Sequence, residues 1–170
     1  MKLQLKNVHF SERLSQETNA FAADVYFNGK KFGAAENDGH GGCTFIQPYP
    51  EARGIYNEAK EYALSLPEYV TKYTNKDGSP FIIKSDLEFQ VDSMFERWLD
   101  LKEIKKESNK GIFYQKPDGT KATTYWKGWT ISKLMKHPQG IELVSKAVLK
   151  HQKAGNTILN TNLDSILGPN

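Results

Sequence analysis

The sequence predicts a single α+β domain, residues 1–170, in which an N-terminal antiparallel β-meander and a second β-hairpin pack against three to four helices. Three observations predict this class. Residues 1–47 alternate apolar and polar side chains around an Asn-Gly dipeptide, residues 86–106 repeat apolar side chains at helical spacing, and residues 111–127 surround a Pro-Asp-Gly turn. A chain of this length buries about 70% of its unfolded surface, which is enough for a hydrophobic core.

The β-meander, residues 1–47, is predicted to contain four strands. Asn28-Gly29 is typical of a type I′ hairpin turn, because both central residues of that turn need positive φ. Pro48 and Pro50 end the fourth strand. The four predicted strands are Lys2–Phe10, with one slip in its alternation, Phe21–Phe27, Lys31–Ala35 and Cys43–Ile46.

Helices are predicted over residues 51–66, 86–106 and 130–153, with a break in the last range at Pro138 and Gly140. Ser85 and Glu88 match an S-x-x-E capping box for the second helix. The segment before that helix is predicted as a loop over Lys72–Lys84 that includes a short strand, Phe81–Ile83. The apolar stripe of the second helix is predicted to lie in the core: Leu87, Val91, Met94, Phe95, Trp98, Leu101 and Ile104.

The composition is that of a globular protein, with 38% hydrophobic, 25% charged and 12% aromatic residues. No stretch approaches the roughly 20 apolar residues of a membrane span, and the first residues lack the features of a secretory signal. With Cys43 as the only cysteine, an internal disulfide is excluded, so a cytoplasmic location is expected. Cys43 itself is expected to be a small buried residue beside a strand.

The net charge of +3 conceals a difference between the two parts of the chain. Residues 1–100 contain 11 Lys and Arg against 15 Asp and Glu, whereas residues 101–170 contain 12 against 5. The C-terminal part is therefore basic. Such a distribution is typical of a surface for phosphate groups or for an acidic protein, and also of a solvated face without a partner.

The segment Asn37–Gly42, with three glycines in four residues, is the first candidate site. Successive glycines let several backbone N–H groups converge, and such nests bind phosphate or carboxylate. The alternative is a structural turn in which the polar side chains bond to nearby backbone. The predicted ligand-binding residues are Asn37, Asp38, Gly39, His40, Gly41 and Gly42.

Catalysis and metal binding are weaker interpretations of the same segment. Asp38 and His40, with Asp24 or Glu36, have the residue types of a nucleotide or phosphodiester hydrolase, but the sequence cannot show their geometry. No metal site and no cofactor are expected, because neither the single cysteine nor the spacing of the histidines matches a known ligand set. The four histidines are His9, His40, His137 and His151.

The second candidate surface is the C-terminal hairpin, where aromatic and lysine residues are interleaved. Flat rings stack on bases while lysines contact phosphates, as in sequence-tolerant binders of single strands. The alternative is an ordinary hairpin with one face buried against the second helix. The predicted nucleic-acid-binding residues are Lys116, Lys121, Tyr125, Trp126 and Lys127, within a wider set that adds Phe113, Tyr114, Trp129 and Lys110.

Residues Ala20–Thr44, AFAADVYFNGKKFGAAENDGHGGCT, resemble a segment of small uncharacterised proteins of bacteriophages and mobile elements. In those proteins a strand, an N-G-x turn and a second strand lead into an N-D-G-x-G-G loop, with a helix soon after. The resemblance covers about a seventh of this chain. It implies a phage context, and hence the cytoplasm of a host cell, but no catalytic residues.

Together these observations favour a phage or mobile-element accessory protein that acts by binding rather than by turnover. Its predicted partner is a host defence or takeover protein, which it would inhibit, or a small nucleotide, which it would sequester. One alternative is a single-stranded nucleic-acid-binding module, and another is a small hydrolase centred on Asp38 and His40. No membrane partner is expected, and the sequence leaves the oligomeric state and the strand order open.

Overall fold

A computed structural model describes residues 1–168, which form nine strands and five α-helices. All strand pairs are antiparallel, so the α+β class is confirmed. None of the helices within residues 1–168 is long and apolar enough to span a bilayer. The strands are β1 Leu3–Ser11, β2 Ala20–Phe27, β3 Lys30–Asn37, β4 Phe45–Pro48, β5 Tyr69–Thr74, β6 Pro80–Ile83, β7 Gly111–Gln115, β8 Lys121–Tyr125 and β9 Thr157–Ile158. The helices are α1 Arg53–Leu64, α2 Leu87–Lys110, α3 Ile131–Leu134, α4 Pro138–Lys153 and α5 Asp164–Leu167.

The contacts between residues divide the chain into two compact units, Met1–Arg97 (unit 1) and Trp98–Asn170 (unit 2). Residues 169 and 170 lie outside the described part of the chain. The boundary falls inside α2, so the beginning of this helix belongs to unit 1 and its end to unit 2. The single domain over residues 1–170 stays a prediction.

Unit 1 is built on the predicted meander, a four-stranded sheet in the order β1-β2-β3-β4. Alternate side chains of β2 are buried, from Phe21 to Phe27, and they face α1 and the first turns of α2. The Phe21 and Phe95 rings stack with their centroids 4.0 Å apart. The buried apolar residues of this unit are Ala20, Phe21, Ala23, Val25, Phe27, Phe32, Ala35, Ala52, Ala59, Ala63, Leu87, Val91 and Phe95.

Two local predictions for the meander are confirmed by the backbone. Asn28 and Gly29 both have positive φ, 48° and 80°, as a type I′ turn requires. The slip in the alternation of β1 is a β-bulge at Asn7, which has a φ of 50° and shifts the pairing register between Lys6 and His9. Because a bulge adds one residue to a strand, the apolar side chains before and after it can point to the same face of the sheet.

The predicted boundaries are wrong in several places. The fourth strand begins at Phe45 rather than at Cys43, and it includes Pro48, which a strand at the edge of a sheet tolerates. The helix predicted over residues 51–66 covers Arg53–Leu64, because a 3₁₀ turn occupies Pro50–Ala52. Helix α2 extends to Lys110 instead of residue 106.

The capping box of α2 is also wrong. The side chain of Asp86, not Ser85, accepts the backbone N–H of Phe89, at 2.8 Å. The Ser85 hydroxyl is buried and donates instead to the carbonyl of Ala63 in α1, at 2.7 Å. Leu101 of the predicted core stripe is exposed, whereas Leu87, Val91 and Phe95 are buried as expected.

A two-stranded hairpin, β5 with β6, occupies a segment that the sequence analysis assigned mostly to a loop. Strand β6 confirms the predicted strand Phe81–Ile83, whereas β5 was not expected. The apolar side chains of β5 are not buried on either face, so this segment lacks the alternation of a half-buried strand. The exposed apolar residues of this hairpin are Tyr69, Val70, Tyr73, Phe81 and Ile82.

Unit 2 contains the second predicted hairpin, β7 with β8, extended by the short strand β9 from the C-terminal segment. One face of the hairpin carries Ile112, which lies in a core with residues from α3, α4 and the segment before α5. The remaining buried members of this core are Ile131, Leu134, Val144, Val148 and Leu163. The hairpin prediction is confirmed, but β9 and α5 were not expected.

Asn160, only 2% exposed, connects the C-terminal segment of unit 2 to β7. Its Oδ1 accepts the backbone N–H of Phe113 at 2.7 Å, and its Nδ2 donates to the carbonyl of Gly111 at 2.9 Å. A side chain that both donates and accepts can pair two buried backbone groups at once. These backbone groups would otherwise be buried without a partner.

We expect Asn160→Ala to lower the free energy of unfolding by about 3 kcal/mol, because the Phe113 N–H and the Gly111 carbonyl would lose their partner in a buried place. Urea denaturation followed by circular dichroism measures this change. Asn109→Ala, at an exposed position of α2, is the matched control. A loss for Asn160→Ala no larger than for the control would contradict this role.

His151 in α4 is half-buried and stacks on Tyr114, with ring centroids 3.9 Å apart. Its Nδ1 accepts the side-chain amide of Asn156 at 3.1 Å, and its Nε2 donates to the Thr124 hydroxyl at 2.9 Å. Burial, and then the neighbouring Lys150 ammonium, lower the pKa of this imidazole below its usual 6.5. The folded state therefore favours the neutral ring.

Because the unfolded chain takes up a proton at His151 more readily than the folded chain, stability is expected to fall as the pH drops through about 6.5. His151→Gln should flatten the dependence of unfolding free energy on pH between pH 7 and pH 5. The measurement is urea denaturation across that range. Equal slopes in the variant and the parent protein would refute this prediction.

Candidate functional site

The glycine loop, Asn37–Gly42, leaves the end of β3 and is organised by the side chain of Asn37. Its Oδ1 accepts the Thr18 hydroxyl at 2.8 Å and the N–H of Gly39 at 2.9 Å. Its Nδ2 donates to the carbonyl of Gly42 at 3.0 Å. Both the acceptor and the donor group of the Asn37 side chain are therefore already bonded within the protein.

The backbone donors of the loop are also used within unit 1. The His40 N–H bonds to the Asp38 carboxylate at 3.1 Å, and the Gly41 N–H bonds to the Thr18 hydroxyl at 3.2 Å. Together with the Gly39 N–H, three of the donors that an anion nest needs already have partners. The loop thus has the bonding of a structural turn, and ligand binding by its six residues stays a prediction.

Gly39 is required by the packing of this loop. Its φ is 88°, and a Cβ at this position would collide with the carbonyl oxygen of Leu14 and the side chain of Ala20. Its own carbonyl accepts three backbone N–H groups, from residues 16, 17 and 18, at 3.0 to 3.3 Å. Gly42, by contrast, has open space around its Cα.

A groove of about 700 Å³ lies beside the glycine loop in unit 1. Asp38 and His40 of the predicted set line it, and Glu36 joins them from β3. Among the described residues, no lysine or arginine lines this groove. Its lining residues are His9, Phe10, Ser11, Leu14, Ala20, Phe21, Ala22, Glu36, Asn37, Asp38, His40, Gly42, Cys43 and Phe45.

Part of the residue set considered for a hydrolase lines this groove, and the hydrolase stays a prediction. The structure brings Asp38, His40 and Glu36 together, but the hydrogen bond between Asp38 and His40 uses the backbone N–H and not the imidazole. Asp24 is engaged elsewhere: its carboxylate pairs with the Lys31 ammonium at 2.8 Å and accepts a hydrogen bond from the Asn7 amide. Both partners lower the pKa of the Asp24 carboxyl. Among residues 1–168, no cluster of three or more His, Cys, Asp and Glu side chains is arranged to hold a metal ion.

Cys43 is exposed, so the prediction of a buried residue is wrong. Cys43 lies in the irregular segment before β4, where the side chain of the next residue, Thr44, is the one that is buried. The Glu88 carboxylate raises the pKa of its thiol, which disfavours the reactive thiolate. Nearby, the Thr44 hydroxyl donates to Asp92, whose pKa is nevertheless raised by burial and by the surrounding carboxylates.

The second candidate surface lies in unit 2, where the structure separates the predicted residues into two groups. Lys116 and Lys121 lie at the turn end of the hairpin, because Gln115 pairs with Lys121 and Gly111 pairs with Tyr125. Lys121 is engaged there with two carboxylates of α2, Asp100 and Glu103, at 3.1 and 2.8 Å.

The other three predicted residues, Tyr125, Trp126 and Lys127, lie together at the opposite end of the hairpin. There, Trp126 and Trp129 face each other across a tight turn, with the Trp129 N–H bonded to the Trp126 carbonyl at 2.9 Å. We call this pair the tryptophan ridge. Tyr125 is 71% exposed and Trp129 49% exposed, whereas Trp126 is half-buried.

The tryptophan ridge is the wall shared by two grooves. The first groove, of about 570 Å³, is lined by Lys110, Tyr125, Trp126, Lys127, Gly128, Trp129 and Thr130. The second, of about 630 Å³, is lined by Trp126, Trp129, Leu134, His137, Pro138, Gln139, Gly140 and Leu143. One groove is therefore basic and the other mainly apolar, and both present tryptophan side chains.

Phe113 and Tyr114 of the wider set do not belong to this surface, because Phe113 is buried and Tyr114 stacks on His151. The sequence interpretation missed the lining from the start of α4, such as His137 and Gln139. In the structure, the bridge between Trp126 and Trp129, a contact over three residues, connects the hairpin to the helical segment after it.

A comparison of the chain with protein-family models, with curated proteins and with solved structures found no match.

We expect Gly39→Ala to lower the free energy of unfolding by about 2 kcal/mol or more, because it combines positive φ with a steric clash. Gly42→Ala, in the same loop but with open space, is expected to change it by less than about 0.5 kcal/mol. Thermal and urea denaturation of both variants measure the difference. Equal effects would argue against a structural role for Gly39.

Proposed function

We propose that this chain acts by binding and that unit 2 binds single-stranded nucleic acid at the tryptophan ridge. The observation that carries this proposal is that Trp126 and Trp129 form one wall of two adjacent grooves. A nucleobase in either groove would contact a tryptophan side chain. Stacking of bases on aromatic side chains contributes about 1 to 3 kcal/mol per base in single-strand binders.

The charge of unit 2 supports this choice of ligand. Residues 98–170 contain 12 lysines against 6 acidic residues, and residues 1–97 contain 11 basic against 14 acidic residues. The structural boundary at Arg97 therefore separates a basic unit from an acidic one. A basic surface attracts the phosphate backbone, mainly through release of its counterions.

The lysines beside the ridge differ in whether an ion pair already neutralises their charge. Lys127 takes part in none of the ion pairs found among residues 1–168, whereas Lys110 is paired with Glu107 at 2.6 Å. Lys133 and Lys136, which come after the ridge in the sequence, are also exposed and outside those ion pairs. Lys127 is thus the strongest candidate for a phosphate contact in the basic groove.

The composition of unit 2 favours sequence-tolerant binding. The arginines of the chain are Arg13, Arg53 and Arg97, so residues 98–170 contain none. Specific reading of base edges in duplex DNA relies mainly on arginine. We therefore propose a single strand, and not a specific duplex sequence, as the ligand.

The other expected functions stay predictions. They are a phage or mobile-element accessory protein that inhibits a host protein or sequesters a nucleotide, and a hydrolase centred on Asp38 and His40. A phosphate-bearing ligand in the groove beside the glycine loop receives no electrostatic support, because that groove contains carboxylates and no lysine or arginine within the described chain. The tryptophan ridge offers the better chemistry for a nucleotide.

Trp129→Ala is expected to weaken binding of a fluorescein-labelled oligo(dT) by about tenfold, because one stacking partner is lost. Fluorescence anisotropy at low salt measures the affinity. Tyr73→Ala is the matched control, because Tyr73 is an aromatic residue 65% exposed in unit 1. Absence of binding at low salt, or equal losses in both variants, would rule out the ridge as the site.

Lys127→Gln is expected to lower the slope of log affinity against log salt by about 0.7, the contribution of one phosphate contact on a single strand. Lys76→Gln, an exposed lysine of unit 1, should leave the slope unchanged. Titrations of the same oligonucleotide at several salt concentrations give both slopes. An unchanged slope for Lys127→Gln would remove this residue from the proposed site.

A further inference from the structure

The sheet of unit 1 has an open face opposite its core. Strand pairing places one row of side chains across this face, because His9 pairs with Ala22, Ala22 with Glu36, and Glu36 with Phe45. All four residues are exposed, and Phe45 is 60% exposed although it is a large apolar residue. The neighbours of Ala22 along β2, Phe21 and Ala23, are buried on the other face.

Ala22, in the middle of this row, leaves the space that the longer side chains on either side enclose. The groove beside the glycine loop occupies this space, and its volume of about 700 Å³ lies within the range of sites for small molecules. Its apolar lining includes Leu14, Ala22 and Phe45. The groove can therefore accommodate an apolar body of the size of a bicyclic ring.

The charge in this groove is negative and not compensated by ion pairs. Glu36 and Asp38 line it, and neither takes part in the ion pairs found among residues 1–168. On the adjacent row of the same face, by contrast, Asp24 is paired with Lys31. One carboxylate of this face is therefore neutralised by an ion pair, whereas Glu36 and Asp38, beside the apolar part of the groove, are not.

We propose that this groove binds an organic cation, a protonated amine carried on an aromatic or aliphatic body. Glu36 and Asp38 attract the ammonium group, while Phe45, across the strand pair from Glu36, contacts the body. His9 and His40 supply hydrogen-bonding groups at the rim. This ligand has the opposite charge to the nucleic acid proposed for unit 2, so the two proposals are independent.

The test uses three probes with the same ring and different charge: tryptamine, indole and indole-3-acetate. In ¹H–¹⁵N spectra of the full chain, tryptamine is expected to shift the amide signals of His9, Ala22, Glu36 and Phe45. Glu36→Gln should weaken tryptamine binding by about threefold to fivefold, the effect of one exposed charge pair. Phe45→Ala should weaken binding of tryptamine and of indole alike.

Glu58→Gln, an exposed position of α1, is the matched control and should leave tryptamine binding unchanged. Indole-3-acetate should bind more weakly than indole, because the Glu36 and Asp38 carboxylates repel its carboxylate. The proposal is overturned if tryptamine shifts none of these amide signals, if indole-3-acetate binds as well as tryptamine, or if Glu36→Gln behaves like the Glu58→Gln control.

Discussion

In each unit of this protein, one asparagine side chain supplies hydrogen-bond partners for backbone groups of its neighbouring segments. Asn37 holds the corner of the glycine loop, and Asn160 joins the C-terminal segment to β7. The constraint is general, because a buried backbone N–H or carbonyl without a partner costs free energy comparable to a lost hydrogen bond. An asparagine side chain meets it with a donor and an acceptor on one short group. The glycine loop beside the groove of unit 1 is held in this way.

Much of the fold could be predicted from local signals in the sequence. The Asn28-Gly29 turn, the Pro-Asp-Gly hairpin and the apolar repeat of α2 each carry enough information over a few residues to identify the element. The elements that sequence analysis missed lack such a pattern: β5 exposes its apolar residues, and β9 is only two residues long. The cap of α2 was displaced by one residue because Ser85 bonds across to α1, a contact that no local pattern contains.

The candidate sites were less predictable, because their chemistry depends on which side chains are already engaged. The glycine loop and the aromatic hairpin were both found, but the sequence could not show that three loop donors are bonded internally or that Lys121 is paired with Asp100 and Glu103. The distribution of charge, by contrast, could be read from the sequence. The change from an acidic to a basic part of the chain nearly coincides with the boundary between the two units. Opposite charges on the two units favour different classes of ligand for each.

The two outer strands of the unit 1 sheet carry interruptions, the bulge at Asn7 in β1 and Pro48 in β4. Exposed strand edges are templates for uncontrolled polymerisation, and bulges and prolines are the usual means of blocking them. The sheet can therefore keep a partly apolar groove on its open face without joining other sheets side by side. Because both edge strands are interrupted, we expect the sheet to resist edge-to-edge association as the protein concentration rises.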